Sequence, residues 1–219
     1  MAKKESAKDK NREQMIEKLT RIFQEKDIKG QCSRISWEII PIIYQLNQKL
    51  SMNEDRGVID NVTWRAKSPE SIVRKLEHKG KDVNLDNALY QMNDIAGIRV
   101  VCSFMDDVYV VTDEIKNIPG IKIIKEKNYI DHPKRSGYRS IHLIIDVSDR
   151  GLDVRQIEIQ IRSVAMNYWA ILDHQLVYKN NSKTAKKMRK KLKSYAEEIA
   201  EIDWQMLMMR KEIETIDEE

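Results

Sequence analysis

Apolar side chains recur along this chain at two spacings, one typical of helices and one typical of strands. From Ser33 to Leu50, isoleucine and leucine residues lie three or four positions apart, which predicts an amphipathic helix. Pro41 falls inside this pattern and is expected to kink or restart the helix. Further along, Ser68 as a cap and Pro69 at the first helical position predict a second helix start.

Three later runs alternate apolar and polar side chains, which predicts strands. They span Ile98 to Phe104, Tyr138 to Val147, and the segment in which Ile157 and Ile161 mark one face. A weaker strand is expected at 121–124 and a helix at 108–118. Helices and strands in this order predict an α+β fold, with a mixed β-sheet flanked by helices.

The last segment carries the most regular helical pattern. Nine apolar side chains from Met188 to Ile216 are spaced alternately by four and three residues, which predicts a long C-terminal helix. Such a seam is typical of paired helices, but a helix packed on its own domain shows a similar stripe, and both interpretations stay open. We divide the chain into an N-terminal charged tail and helix (1–30), a central domain (31–181) and a C-terminal amphipathic helix (182–219). The first ten residues are expected to be disordered.

Composition narrows the possible classes of protein. The 219 residues include 39 basic and 35 acidic side chains, so the net charge is only +4 and does not by itself indicate a nucleic-acid binder. The longest apolar run, Ile39 to Tyr44, is far shorter than the roughly 20 residues of a membrane span. We therefore expect a cytoplasmic protein that does not enter a membrane. Cys32 and Cys102 fit neither a disulfide framework nor a zinc site and are expected to be small buried residues.

Carboxylates on the predicted strands indicate a candidate metal site. Asp94 precedes the strand that carries Arg99, and Glu158 lies on the polar face of another strand. Two carboxylates at the ends or faces of adjacent strands are the minimum for holding Mg²⁺, which keeps room for substrate phosphates. A sheet face exposed to water explains any single one of these residues equally well. The convergence of residue types favours a site, because five further polar residues align with Glu158: Gln156, Gln160, Arg162, Tyr138 and His142.

A cationic stretch surrounds the predicted helix start at Ser68. Because a helix N-terminus with nearby basic side chains can hold anions, this stretch is a candidate phosphate site. Exposed basic residues on a helix surface are the alternative, especially for Arg74 and Lys79. No glycine lies in a GxxxxGK[ST] or GxGxxG motif, so side chains would have to hold a triphosphate. The stretch consists of Arg65, Lys67, Arg74, Lys75 and Lys79.

Five sequence blocks resemble, in order, those of the RelA/SpoT-type alarmone synthetase domain. The blocks are RAKSPESIVRKL (65–76), NDIAGIRVVCSF (93–104), HPKRSGYRSIHLII (132–145), IEIQIRSVAMNYWA (157–170) and LDHQLVYK (172–179). The length and the helical C-terminus are most similar to the RelQ-like and RelP-like small alarmone synthetases. This resemblance implies a nucleotidyltransferase-like mixed sheet that transfers pyrophosphate from ATP to the 3′-hydroxyl of GDP or GTP, giving (p)ppGpp for the stringent response. No HD dipeptide typical of the family's hydrolase domain is present, so a synthesis-only enzyme is expected.

The resemblance also implies a role for each candidate residue. Asp94 and Glu158 become the catalytic carboxylates and the ligands of Mg²⁺, and Glu158 is also placed to take the proton of the attacking hydroxyl. Asp173 stands where RelQ-like relatives are expected to carry Glu, which leaves its contact with the acceptor open. The resemblance assigns Arg65, Lys67, Ser71, Lys75 and Arg99 to ATP, and assigns Lys134, Tyr138 (stacking on guanine), His142, Gln160 and Asn167 to the guanine nucleotide.

Two other functions remain open on the sequence. One is a toxic relative that uses the same site to pyrophosphorylate the 3′ end of tRNA, and the other is an inert RNA-binding or coiled-coil regulator. An inert protein has no reason to keep two costly like charges together, which argues against the second. We also expect a homo-oligomer, a tetramer if the resemblance extends to the C-terminal helix. An RNA partner is suggested by seven basic residues that could neutralise phosphates or simply face water: Lys183, Lys186, Lys187, Arg189, Lys190, Lys191 and Lys193.

Overall fold

The computed structural model describes residues 2–176 and 183–217, with side chains described for 10–176 and 187–216. Within these residues the chain forms helices around one sheet. The helices are α1 (Ala2–Glu25), α2 (Ile28–Glu54), α3 (Pro69–His78), α4 (Leu85–Tyr90), α5 (Met105–Lys116), α6 (Val164–Leu176) and α7 (Lys183–Asp217), with a 3₁₀ turn at Ser148–Arg150. The strands are β1 (Ile59–Ala66), β2 (Ala96–Cys102), β3 (Lys122–Asn128), β4 (Ile141–Asp146) and β5 (Gln156–Ser163).

The five strands form one mixed sheet in the order β1-β2-β5-β4-β3. The central pair β2 and β5 is parallel, and the other three neighbouring pairs are antiparallel. The predicted α+β class, with a nucleotidyltransferase-like mixed sheet flanked by helices and a long C-terminal helix, is therefore confirmed. The strand predictions at 98–104, 121–124, 138–147 and around Ile157 fall on β2, β3, β4 and β5.

One face of the sheet forms the main core. Ile98 and Val100 on β2 pack with Ile159 and Ile161 on β5, and helices α2 and α5 cover this face. Since side chains alternate across a strand, the intervening residues of β2 and β5 point to the opposite face. That opposite face carries the polar side chains of the candidate site.

Several local expectations differ from the structure. Helix α2 begins at Ile28 and continues through Pro41 without a break, because buried side chains on both sides of the proline, Ile39 and Ile43, hold the helix against the core. Helix α1 begins at Ala2, so the expectation of a disordered start was wrong. Strand β1 and the short helix α4 were not predicted. By contrast, the helix start at Ser68 is confirmed: its hydroxyl accepts a hydrogen bond from the Ser71 amide at 3.4 Å.

Helix α7 packs against its own subunit with only part of its apolar surface. Leu192, Ala196, Asp203 and Leu207 are buried. Seven residues of the predicted seam are instead exposed and form what we call the outer stripe: Met188, Tyr195, Ile202, Met206, Met209, Ile213 and Ile216. Packing on the chain's own domain therefore accounts for one side of the helix, and helix pairing stays a prediction for the outer stripe.

The basic segment of α7 is exposed wherever its side chains are described, from Lys187 to Lys193, while the side chains of Lys183 and Lys186 lie outside the described residues. Cys32 and Cys102 are buried free thiols, as predicted. Burial raises the pKa of the Cys32 thiol to about 12. In the part of the chain that the structure describes, no helix combines the length and the apolarity that a bilayer crossing requires.

Candidate active site

Strand register aligns polar side chains across the open face of the sheet. Gln160 on β5 pairs with Arg99 on β2 and with His142 on β4, and His142 pairs in turn with Lys127 on β3. In the adjacent row, Gly97 lies between Arg65 on β1 and Glu158 on β5. Because glycine has no side chain, this row keeps a gap between the guanidinium-bearing strand and the carboxylate.

Glu158 belongs to a closed set of hydrogen bonds that we call the Glu158 network. Its Oε1 atom lies 2.9 Å from His142 Nδ1, and its Oε2 atom accepts from Gln160 Nε2 at 2.6 Å. The Tyr138 hydroxyl lies 2.8 Å from His142 Nε2. Arg162 closes the network, because its NH2 group donates to the Tyr138 hydroxyl at 2.9 Å and to Gln160 Oε1 at 2.7 Å.

The chemistry of the members fixes the protons of this network. Arg162 can only donate and the Glu158 carboxylate can only accept. The Tyr138 hydroxyl, which accepts from Arg162, donates to His142 Nε2, and His142 Nδ1–H then donates to Glu158. Burial lowers the pKa of His142, which agrees with this neutral imidazole. Burial acts to raise the pKa of Glu158, but the bonds from His142 and Gln160 outweigh it and lower the pKa. Glu158 is therefore an ionised carboxylate held in one orientation.

Asp94 is the second carboxylate and is held by two ammonium groups. Lys67 Nζ lies 2.5 Å and Lys75 Nζ 2.8 Å from Asp94 Oδ2. Burial acts to raise the pKa of Asp94, but these two cations outweigh it and lower the pKa to about 2. The charge of Asp94 in turn acts on Glu158, so the two carboxylates share one electrostatic environment.

Several buried polar atoms of this region have no hydrogen-bond partner. They include Asp94 Oδ1, Arg99 Nε, Arg162 Nε and Asn167 Oδ1. Because buried polar groups in folded proteins are almost always paired, these four atoms are available to a polar ligand. The free oxygen of Asp94 and the nearby Glu158 are hard ligands of the kind that Mg²⁺ prefers, so the residues fit a divalent cation. The described residues contain no cluster of three or more His, Cys, Asp or Glu that could form an all-protein metal cage.

Positive charge concentrates around the carboxylates. Burial lowers the pKa of the Arg99 guanidinium, and the charges of Arg162 and Arg65 lower it further, which places three guanidinium groups near one another. Ser71 lies in the first turn of α3, next to the Lys67–Asp94–Lys75 group. This arrangement can neutralise a polyanion without a glycine-rich loop.

The β3–β4 loop, residues 129–140, brings aromatic rings to the other side of Glu158. Lys134 Nζ lies 4.4 Å from the centroid of the Tyr129 ring and 4.6 Å from that of Tyr138. Tyr138 also meets Tyr129 edge to face, with centroids 6.1 Å apart. Tyr138 lies in this loop rather than in the strand where alternation placed it. The ring face that Lys134 covers has to be cleared before a base can stack on it.

The structure brings most of the predicted site residues together around Asp94 and Glu158. Asn167 lies on α6, and its side-chain oxygen has no hydrogen-bond partner. Asp173 lies on the same helix; burial raises its pKa, and the charge of Arg189 opposes this shift. Arg162, Tyr129 and Lys127 had no role predicted from the sequence, although Arg162 was among the polar residues aligned with Glu158. Alternation with Glu158 and Gln160 was a usable signal for Arg162, whereas the positions of Tyr129 and Lys127 depend on strand register. The residues brought together are Arg65, Lys67, Ser71, Lys75, Asp94, Arg99, Lys134, Tyr138, His142, Glu158 and Gln160.

A mixed sheet that presents two ionised carboxylates among Arg and Lys side chains is suited to phosphoryl transfer, and it matches the nucleotidyltransferase-like class that the resemblance implies. Comparison with known proteins identifies the family. Residues 64–183 match the model described as the region found in RelA/SpoT proteins. The chain belongs to this family.

Individual relatives agree with this assignment. The GTP pyrophosphokinase YwaC of Bacillus subtilis is 37% identical over 172 residues, which cover 77% of this chain and 82% of the relative. YjbM, a second GTP pyrophosphokinase of that organism, is 32% identical over an alignment that covers 74% of this chain and 76% of YjbM. The crystal structure of small alarmone synthetase 1 from B. subtilis, bound to its product pppGpp, superposes with a TM-score of 0.76 at 29% identity, covering 87% of this chain and 98% of that one.

Proposed function

We propose that this protein is a synthesis-only GTP pyrophosphokinase that acts in the cytoplasm during the stringent response. The reaction transfers the β,γ-pyrophosphoryl group of ATP to the 3′-hydroxyl of GDP or GTP. A bond forms between the 3′ oxygen and the β-phosphorus, the bond from the β-phosphorus to the α,β-bridging oxygen breaks, and AMP leaves. The products are AMP and (p)ppGpp.

The observation that carries this proposal is the pair formed by Glu158 and Asp94. Glu158 is ionised and oriented by His142 and Gln160, so it can accept the proton of the 3′-hydroxyl. Lys67 and Lys75 stand beside Asp94, where they can neutralise the transferred phosphates. Arg65, Ser71 and Arg99 are assigned to the rest of ATP on the β1–β2 side of the site.

Asp94 and Glu158 would hold a divalent cation, proposed to be Mg²⁺. Asp94 would offer the oxygen that has no partner, and Glu158 would offer a carboxylate that is already ionised. When bound, the cation neutralises phosphate charge and orients the triphosphate. When phosphates are absent, the ammonium groups of Lys67 and Lys75 neutralise the charge of the Asp94 carboxylate.

The guanine nucleotide is assigned to the opposite side of Glu158. Tyr138 supplies an aromatic face, and Lys134 beside that face supplies a charge for the 5′-phosphates. His142, Gln160 and Asn167 are assigned to the same side, and Asn167 has a carbonyl oxygen without a partner. Binding of the acceptor therefore involves displacement of the Lys134 ammonium from the ring that the base would contact.

A single labelling experiment tests the proposed reaction. The protein is incubated with magnesium and ATP labelled in the β-phosphate, with GDP or GTP in one reaction and deacylated tRNA in another. Label is expected in the guanine nucleotide, as (p)ppGpp. Label in tRNA alone would contradict the proposal and favour the alternative function, pyrophosphorylation of the 3′ end of tRNA. An absence of transfer in both reactions would favour a regulator over an enzyme.

We also propose that the outer stripe of α7 holds a homo-oligomer together, in the form of a tetramer. Its side chains are between 37% and 65% exposed in the single subunit. A contiguous apolar stripe of this length on a helix is typical of an interaction surface. A second copy of the same helix offers a matching stripe, as in paired helices.

A further inference from the structure

The β3–β4 loop rests directly on helix α7, and Ala196 is the point of contact. Gly137 in this loop has a φ of +92°, and a Cβ atom built on it would lie only 2.4 Å from the Cβ atom of Ala196. The same hypothetical atom would lie 3.6 Å from the Lys193 carbonyl oxygen. Loop and helix therefore touch at their backbones, and only the smallest side chains fit at 137 and 196.

A hydrogen bond fastens the loop at the same place. Arg139 NH1 donates to the carbonyl oxygens of Gly137 and Ala196, each at 3.2 Å. The first bond braces the loop on itself, and the second ties it to α7. Helix α7 is in turn fixed to α6, since Trp169 Nε1 donates to the Leu192 carbonyl at 2.8 Å.

The ring of Tyr138 belongs to this contact. It packs against a small hydrophobic cluster formed by Trp169, Leu192 and Ala196, which is separate from the main core. Its hydroxyl group reaches the Glu158 network at the other end. Tyr138 is thus placed from two directions, by the sheet through its hydroxyl and by the C-terminal helix through its ring.

We propose that Ala196 is a positioning residue for the guanine nucleotide. Because its side chain is small, the β3–β4 loop can pack closely against α7. This packing positions the ring of Tyr138 to contact the acceptor base. The inference rests on the proposed function, because it takes Tyr138 as the acceptor contact. The ATP side does not depend on this contact, since Lys67 and Lys75 are held by Asp94 on the β1–β2 side of the site.

The test compares Ala196→Leu with Ser194→Leu, which adds a leucine at an exposed position of the same helix. Stacking of a base on an aromatic ring is strong enough that its loss changes affinity about fivefold or more. Ala196→Leu is therefore expected to raise the KM for GDP at least about fivefold and to leave the KM for ATP within about twofold. Ser194→Leu is expected to match the wild type. An unchanged KM for GDP, or an equal rise for both substrates, would overturn the proposal.

A second pair of variants keeps the test decisive if Ala196→Leu does not fold. Gly137→Ala introduces the close contact from the loop side and is expected to raise the KM for GDP. Adding Ala196→Gly removes the opposing Cβ and is expected to restore part of the GDP affinity, although the strain of a positive φ remains. A double variant no better than Gly137→Ala alone would overturn the positioning role.

Failure of the proposed function gives a different result. Wild type that transfers no label to GDP contradicts the proposed reaction, whatever the variants do. The dissociation constant for GDP, measured by calorimetry without ATP, then decides the positioning role on its own. A wild type that binds GDP more tightly than Ala196→Leu supports the role, whereas equal affinities, or no GDP binding by the wild type, overturn it.

Discussion

Replacing Ile202 and Met209 together by Glu is the sharpest test of the outer stripe of α7. Both side chains project from the subunit, at 51% and 55% exposure, and neither belongs to the buried clusters. Ile199, which sequence periodicity places in the same seam, is a poorer choice. It packs against the cluster around Trp169, so a charge there would destabilise the subunit itself.

The magnitude follows from the exposed fractions. Complete burial of such a side chain is worth about 1.5 to 3 kcal/mol, so the exposed half of Ile202 or Met209 offers ~1 kcal/mol to a partner. Two side chains from each of two copies give ~4 kcal/mol. At about 1.4 kcal/mol per factor of ten, the double substitution should weaken association by a factor of about 1,000. Stability of the single subunit should change little, because exposed substitutions usually stay within about 0.5 kcal/mol.

Sedimentation equilibrium over a range of protein concentrations measures the association, and urea unfolding measures the subunit. Lys190→Glu is the control, since it changes the net charge by the same two units at an exposed position outside the stripe. The double variant is expected to be a folded monomer or a smaller oligomer, with Lys190→Glu unchanged. A monomeric wild type, or a double variant of wild-type mass, refutes the intersubunit stripe. A double variant that unfolds while Lys190→Glu is stable places the stripe in the subunit's own fold.

Three further predictions concern the site and its supports. Asp94→Asn and Glu158→Gln should each lower (p)ppGpp synthesis at least ~100-fold with unchanged circular dichroism, and near-normal turnover at saturating magnesium would remove that residue from the mechanism. Tyr138→Ala should raise the KM for GDP by a factor that corresponds to roughly 1 to 3 kcal/mol, with ATP binding unchanged, and an equal loss for ATP would make the ring structural. Burial raises the pKa of Asp203, and the hydrogen bond from Ser163 opposes this shift. The contribution of Asp203 to stability is therefore fully present below the unfolded pKa and is lost as pH rises through the folded pKa. The unfolding free energy of Asp203→Asn minus that of the wild type should therefore increase as the pH rises from about 3.5, below the unfolded pKa of ~3.9, to pH 8, and a difference independent of pH would contradict this.

Alternation predicted the central strands because their two faces differ in polarity. Ile157 and Ile159 face the core while Glu158 and Gln160 face the site, so a period of two is visible in the sequence. Strand β1 was missed because its sequence, IDNVTWRA, contains Asp60 and Asn61, which are rare in strands. It lies at the sheet edge, where β2 is its one strand neighbour and its side chains Ile59 and Val62 join the main core.

The contacts of the site depend on strand register, which a single sequence does not reveal. The types of Asp94, Glu158 and His142 were identifiable, but the bond between Glu158 and His142 exists because β4 and β5 pair at one register. The lysine pair on Asp94 likewise depends on tertiary placement, because it brings Lys75 of α3 and Lys67 after β1 to the residue that precedes β2. Residues that act at such points from outside the motifs, such as Ala196, have no signal in a single sequence.

The seam of α7 shows the same limit at the level of a whole helix. Periodicity predicted the apolar positions, but it does not indicate whether the same chain or a second copy covers them. The structure turns Leu192 and Leu207 toward the subunit and leaves Ile202 and Met209 outside. Asp203, a buried acid between them, was invisible because its partner Ser163 lies 40 residues away, with Ser163 Oγ donating to Asp203 Oδ2 at 2.5 Å.

The hydrogen bonds around Glu158 bear on how the proposed reaction gains its rate. Bonds from His142 and Gln160 lower the pKa of Glu158, and a carboxylate with a lower pKa is a weaker base. Such a residue is poorly suited to abstract a hydroxyl proton before the new bond to phosphorus forms. Phosphoryl transfer passes through a loose transition state that gains more from orientation and charge neutralisation than from early deprotonation. The network therefore favours a mechanism in which Glu158 orients the 3′-hydroxyl and takes its proton late, while Lys67, Lys75 and the guanidinium groups stabilise the charge that moves.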